Sequence, residues 1–187
     1  MKKYTKWIAL FSQTGQEIID ISNQIDRKPD LIISNNHPSN IFNILKGVEY
    51  RWLTTFGKEA KSLDILDEIV EEPENTVITL NGWLRIVPPV KCKQYNIYNG
   101  HPGLINKYPE LKGKDPQERA WNNIHKYDIA GSVVHRVVEE VDAGEINTYS
   151  EVSTANILTL DEMYAALRST SLTAWGSFLK ERLYNKV

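Results

Sequence analysis

The sequence predicts an α/β fold: a single domain with a mainly parallel, twisted sheet and helices on both faces. Three observations carry this. Short uninterrupted apolar runs such as Trp7-Ile8-Ala9-Leu10-Phe11 and Leu31-Ile32-Ile33 have strand length and suit strands buried on both faces. Between such runs, apolar residues recur at helical spacing, as in Ile18, Ile21 and Ile25. Strands alternating with helices favour parallel pairing. At 187 residues, one domain spanning 1–187 buries roughly 70% of its unfolded surface.

The elements follow in order. Residues 7–11 form a first, central strand, broken by Ser12-Gln13-Thr14-Gly15, with a helix starting near Gln16. A second strand at 31–33 ends in Ser34-Asn35-Asn36-His37-Pro38. Ile41, Ile44 and Leu45 predict a short helix, and 50–56 a third strand. Leu63, Leu66, Ile69 and Val70 predict a helix that Pro73 closes. Residues 76–80 are the next strand, turned by Asn81-Gly82, and Pro88-Pro89 marks a further break. A strand at 95–98 delivers Asn99 to a loop. Residues 117–127 are helical with Ala120, Trp121 and Ile124 inward, and 132–138 is a strand. A long helix over 160–183 turns Met163, Leu167, Thr170, Ala174, Phe178 and Leu179 to one face. The short links at 81–102 and 132–142 predict a part of the sheet that departs from simple winding. The stretch 104–115, rich in Lys, Gly and Pro, reads as a mobile loop.

Composition narrows the function. Twenty-two basic against 24 acidic residues give a net charge of -2, which supplies no broad basic field for nucleic acid and no case for a membrane surface. The single cysteine, Cys92, excludes an intrachain disulfide and a thiolate metal cluster, and a reducing cytoplasm is the natural reading. The apolar run after the basic N-terminus is too short for a signal peptide or a spanning helix. His37, His125 and His135 lack ligand spacing to each other or to Cys92, so no metal site is expected. Within its strand, His135 reads equally as a satisfied core residue or as one facing a substrate. Glu68, Glu71, Glu72 and Glu74 read as a solvated helix end. Lys107, Lys112 and Lys114 read as a soluble loop or as an attractor for an anionic ligand.

The chemistry concentrates in Asn99-Gly100-His101-Pro102-Gly103-Leu104 and in Val141-Asp142-Ala143-Gly144. An amide, an imidazole and a carboxylate at the mouths of buried strands suit proton management around a carbonyl. Asn99 can donate to a developing oxyanion, His101 can donate or transfer a proton, and Asp142 can stabilise an imidazolium.

These motifs, with Leu80-Asn81-Gly82-Trp83-Leu84-Arg85-Ile86-Val87-Pro88 upstream, make the chain resemble the folate-dependent formyltransferases, the small glycinamide ribonucleotide type above all. The resemblance runs from the first strand to the last helix. It implies a Rossmann-like sheet, one-carbon metabolism, and Asn99, His101 and Asp142 as the catalytic set. It also implies 10-formyltetrahydrofolate as co-substrate, its pterin held by Leu84, Arg85, Ile86, Val87 and Ile97 with Val138, Glu139 and Glu140. Ser12, Gln13, Thr14 and Gly15 match the family's substrate-phosphate loop, and read from residues alone they are also an ordinary strand-to-helix turn. There the family has Ser-Gly-x-Gly-Ser-Asn; this chain has lost one glycine and carries Glu17 at the helix start. The implied reaction moves a formyl group to a primary amine of a small nucleotide- or sugar-phosphate-like acceptor, glycinamide ribonucleotide being the first candidate. Hydrolysis of the same donor stands as an alternative, as does a non-catalytic folate- or nucleotide-binding relative.

Overall fold

The computed structural model describes residues 3–36, 41–53 and 57–184, apart from the side chains at 42 and 43. Its strands are β1 (Lys6–Phe11), β2 (Leu31–Ser34), β3 (Glu49–Trp52), β4 (Thr76–Leu80), β5 (Asn96–His101), β6 (Ile129–Arg136) and β7 (Ile146–Ser153). They make one sheet ordered β3-β2-β1-β4-β5-β6-β7, parallel from β3 through β5 and antiparallel for β6 and β7. The helices are α1 (Gln16–Ile25), α2 (Ile41–Ile44), α3 (Lys58–Ser62), α4 (Ile65–Ile69), α5 (Pro89–Gln94), α6 (Pro116–Asn122) and α7 (Leu160–Leu183).

Helices cover both faces, which explains the unbroken apolar run in β1. Trp7, Ala9 and Phe11 pack with Ile18, Ile21 and Ile25 of α1 and with Ala174, Trp175 and Phe178 of α7. Ile8 and Leu10 point the other way, into a core with Ala60, Leu63, Leu66 and Cys92. Each fully buried Leu, Ile or Phe in these layers contributes roughly 1.5–3 kcal/mol. At the entrance to α7, Thr159 and Glu162 cap each other's backbone N–H, which starts the long helix cleanly. No helix among the described residues is long and apolar enough to cross a membrane.

Several elements differ from the sequence expectation. The third strand is short, Glu49–Trp52, and the rest of its expected span, 54–56, lies outside the described residues, as does His37. The helix expected around 63–70 is two short ones, because Leu63 adopts a left-handed φ of 54° between them. Pro73 opens a 3-10 turn. Pro88-Pro89 is not merely a break: Pro89 starts α5, where its missing N–H goes unneeded. The helix α6 ends at Asn122, followed by a 3-10 turn at Ile124–Lys126. The stretch 104–115 is anchored rather than loose, since Leu104, Ile105 and Leu111 are buried in a third core with Met163 and Leu167.

Two corrections matter for the site. β7 was not expected; it is an edge strand whose polar and apolar residues mix, and only its face toward α7 is covered, with Thr148 donating to the Ala174 carbonyl. β5 continues through Asn99 to His101, because β6 pairs with it antiparallel and extends the ladder. Asn99 is therefore a strand residue, opposite His135 of β6.

Candidate active site

Strand order reverses between β1 and β4, and this is where open α/β sheets form a crevice beyond the strand ends. The alternation of β5 sends Asn99 and His101 to one face and Gly100 to the other. Gly100 is required there: a Cβ at this position would lie 2.5 Å from Trp175 Nε1 of α7. On the opposite face, Asn99 Nδ2 lies 3.4 Å from Nε2 of its cross-strand partner His135. The Nδ1 of His135 faces the Arg136 carbonyl at 2.9 Å, an atom that only accepts, so this nitrogen carries the hydrogen.

Asp142 completes the cluster from the loop after β6. Its Oδ1 is 3.4 Å from His135 Nε2, and its Oδ2 is 3.3 Å from His101 Nδ1. The Gly113 N–H donates to the same Oδ2 at 2.9 Å. The carboxylate is turned inward by a left-handed backbone at Asp142, φ 53°, an uncommon conformation that Asp tolerates better than most residues. Gly144 makes that turn possible, since a Cβ there would sit 1.7 Å from the Arg136 carbonyl oxygen. The Arg136 N–H donates to Glu145 O and the Val137 N–H to Ile97 O, which pins both ends of the loop.

Electrostatics follow from this packing. Burial pushes the Asp142 carboxyl up, but the His135 contact, the His101 charge and the Gly113 N–H outweigh it and hold the group below the usual carboxylate range. Burial pushes the His101 imidazolium down, against the opposing pull of Asp142 and of the Leu111 carbonyl at 2.9 Å from Nε2. His101 is only 4% exposed and lines neither cavity described below. It stands behind Asp142, with both nitrogens engaged. His135, which the sequence left open, stands on the cavity side.

Two cavities flank β5. One, of about 190 Å³, is lined by Leu80, Trp83, Leu84, Arg85, Ile86, Val87, Asn99, His135, Val137, Val138, Glu139, Val141 and Asp142. Of the expected pterin-contacting residues, Leu84, Arg85, Ile86, Val87, Val138 and Glu139 are brought together here. Ile97 is not on the wall; it is fully buried beneath it among Leu80, Trp83 and Val87. Glu140 is exposed and off the lining as well. Trp83, a residue that sequence reasoning did not single out, presents a buried indole N–H that finds no protein partner among the described residues.

The other cavity, of about 430 Å³, lies across the β4–β5 ends. Gln13, Thr14, Gly15, Gln16 and Glu17 form one wall, and Tyr164, Arg168 and Ser171 of α7 another. Ser12 is not on the lining; its Oγ accepts from the Leu84 N–H at 2.9 Å, tying the two cavity walls together. Sequence periodicity placed α7 as a packing helix and gave no sign of its cavity-facing polar residues. Among the described residues, no group of three or more His, Cys, Asp or Glu is placed to hold a metal ion.

Comparison with known proteins places this arrangement. The Formyl transferase family profile matches residues 12–175. A phosphoribosylglycinamide formyltransferase of Dictyostelium discoideum is 33% identical over 110 residues, 54% of this chain and only about half, 52%, of that protein. One from Haemophilus influenzae is 25% identical over 190 residues, covering 96% of this chain and 86% of its own length. The crystal structure of phosphoribosylglycinamide formyltransferase from Campylobacter jejuni shares the fold, with a TM-score of 0.80 at 22% identity over 97% of this chain and 98% of that one. The profile takes in every strand from β2 onward together with Asn99, His135 and Asp142, and the chain belongs to the formyl transferase family.

Proposed function

We propose that this protein transfers a formyl group from 10-formyltetrahydrofolate to a primary amine of a small acceptor. The observation that carries this is the cluster of Asn99, His135 and Asp142 on the wall of one cavity, with a second cavity on the other side of the same strand ends. The smaller cavity fits one end of a donor. Its volume is below the roughly 300 Å³ typical of a pocket for a whole drug-sized ligand. Its walls combine apolar Leu84, Ile86 and Val138 with an orphan Trp83 N–H, a suitable set for a flat, polar-edged heterocycle.

In the reaction, the amine nitrogen forms a bond to the formyl carbon, and the carbonyl oxygen becomes an oxyanion. Asn99 Nδ2 donates to that oxyanion, and such a preorganised donor is worth roughly 3–4 kcal/mol. Asp142 accepts the proton of the new ammonium through water and passes it toward the folate nitrogen, which leaves as its bond to the formyl carbon breaks. His135 and His101 hold the charge and orientation of Asp142 from two sides. The low position of the Asp142 carboxyl keeps it ionised when the amine arrives.

The relatives' name makes glycinamide ribonucleotide the first acceptor to assay. The test is an amine panel with 10-formyltetrahydrofolate, following folate release and acceptor mass together. A gain of one formyl mass, lost in Asn99→Ala, is the expected result. Formate release without any added amine would instead identify a hydrolase, and folate binding with no turnover at all would identify a non-catalytic relative.

A further inference from the structure

The larger cavity carries an unusual end for a phosphate. Glu17 of α1 reaches its wall, and a relay of donors is aimed at its carboxylate. The Trp7 indole can only donate, and it does so to Thr79 Oγ1 at 2.9 Å. The Thr79 hydroxyl hydrogen is thereby free for Asn81 Oδ1 at 2.7 Å, which orients the Asn81 amide to donate to Glu17 Oε2 at 3.0 Å. From α7, Ser171 Oγ donates to Glu17 Oε1 at 2.7 Å. Glu17 is the terminal acceptor of both arms, with lone pairs to spare: a carboxylate offers about four and two are used.

Three main-chain donors at the start of α1 are already engaged. Thr14 Oγ1 accepts from the Gln16 N–H at 3.2 Å, and Gly15 O accepts from those of Ile18 and Ile19. Among the described residues on the lining, Arg168 is the one cation, and it is paired with Asp20. A phosphate at this end would meet the Glu17 carboxylate, whereas a hydroxyl or ammonium group would meet an oriented acceptor. Burial raises the Glu17 carboxyl above its ordinary range, in keeping with a group that gains from a bound donor.

We infer that the β1–α1 end of this cavity binds a hydroxyl- or ammonium-bearing part of the acceptor and excludes a phosphate, with Glu17 as the residue that sets the preference. The acceptor class is thus an amine-bearing polyol that places no phosphate in this cavity. This rests on the larger cavity being the acceptor site, part of the formyl-transfer reading.

The test measures binding without donor, by calorimetry or saturation-transfer NMR, using glucosamine and glucosamine 6-phosphate as probes. The wild type is expected to favour glucosamine at least tenfold, and Glu17→Gln to move that ratio at least tenfold toward the phosphate ester. If Glu17→Gln does not fold, Glu17→Ser removes the same charge and reads the same shift. Equal or tighter binding of the phosphate ester by the wild type, no saturable binding of glucosamine, or a ratio unmoved by loss of the charge would overturn the inference. Each of those results leaves formyl transfer standing, whereas absence of Asn99-dependent folate release with every amine would sink the transfer reading and leave the binding ratio readable.

Discussion

The two cavities beside β5 are walled by different kinds of structure. The smaller one takes its central polar cluster from paired strands: Asn99 and His135 are opposite one another across the β5–β6 ladder, and Asp142 follows one tightly pinned loop later. The larger one takes its polar groups from side chains of separate elements, Glu17 on α1, Asn81 after β4, and Arg168 and Ser171 on α7. Backbone register fixes the first wall to within a rotamer, so its chemistry tolerates little change. The second can be re-cut one side chain at a time without disturbing the sheet, and it is here that the chain departs from the formyltransferase pattern. On the proposed reading, this separates reaction from acceptor choice.

The largest effects are expected on the register-built wall. Asp142→Ala removes the carboxylate that holds two imidazoles and the Gly113 N–H, and should lower kcat roughly 10²–10⁴-fold with the fold intact. Asn99→Ala should lower it roughly 10²–10³-fold, the cost of one oxyanion donor. Steady-state kinetics with any accepted amine, beside circular dichroism of each variant, checks both. A wild-type rate in either variant would break the contrast between the two cavities.

Gly144→Ala probes the loop that delivers Asp142. The new Cβ would meet backbone, the Arg136 carbonyl oxygen at 1.7 Å, so the loop must shift. Destabilisation of roughly 3 kcal/mol is expected, at the upper end for overpacking, together with loss of activity from a displaced carboxylate. Gly100→Ala is the matching test on the other face. Its Cβ would meet a Trp175 side chain, which can give more readily than backbone, and a cost of roughly 1–2 kcal/mol in denaturant unfolding is expected.

Sequence periodicity made the central sheet legible because β1, β2 and β4 are almost wholly buried and read as short runs dominated by apolar and β-branched residues. β7 was invisible for the opposite reason: an edge strand covered on one side leaves no clean pattern. Leu63 could not be recognised as a helix break, since its left-handed backbone runs against the preference of its own side chain. At the site, Asn99, His101 and Asp142 were visible as a motif. What could not be seen was that pairing β5 with β6 sets His135 beside Asn99 and that His101 backs Asp142 instead of reaching a cavity, because both depend on contacts more than thirty residues apart. The fate of Ile97 illustrates the same limit. Its neighbour Asn99 lines the cavity, yet Ile97, two residues earlier on the same face, is sealed beneath Trp83 and Val87.

A smaller effect belongs to the apolar rim of the smaller cavity. Leu84 and Ile86 are 66% and 70% exposed, an arrangement that leaves apolar surface free to be covered by a ligand. Ile86→Ser should raise the donor KM about fivefold, on the order of 1 kcal/mol of lost apolar contact, with kcat nearly unchanged. A fall in kcat at constant KM would place Ile86 in the chemistry instead of on the rim, blurring the division between the two walls.

The smallest effect, and the sharpest on the larger cavity, is one of stability against pH. The Glu17 carboxyl is raised in the folded protein, chiefly by burial, despite the hydrogen bonds from Asn81 and Ser171. Between its unfolded value near 4.5 and its higher folded value, the folded state binds more protons than the unfolded one, so this group makes stability fall as pH rises. Above the folded value the penalty is present in full, and at low pH it is gone. Glu17→Gln removes the charge while keeping an acceptor for the Asn81 amide, and the Ser171 hydroxyl can rotate to accept from the new amide. Its Tm should therefore exceed that of the wild type at pH 8 by a few degrees, with the gap closing toward pH 4.5. A gap that stayed constant with pH would mean that packing and not charge distinguishes the two side chains, and the stability cost of a carboxylate in the larger cavity would have to be sought elsewhere.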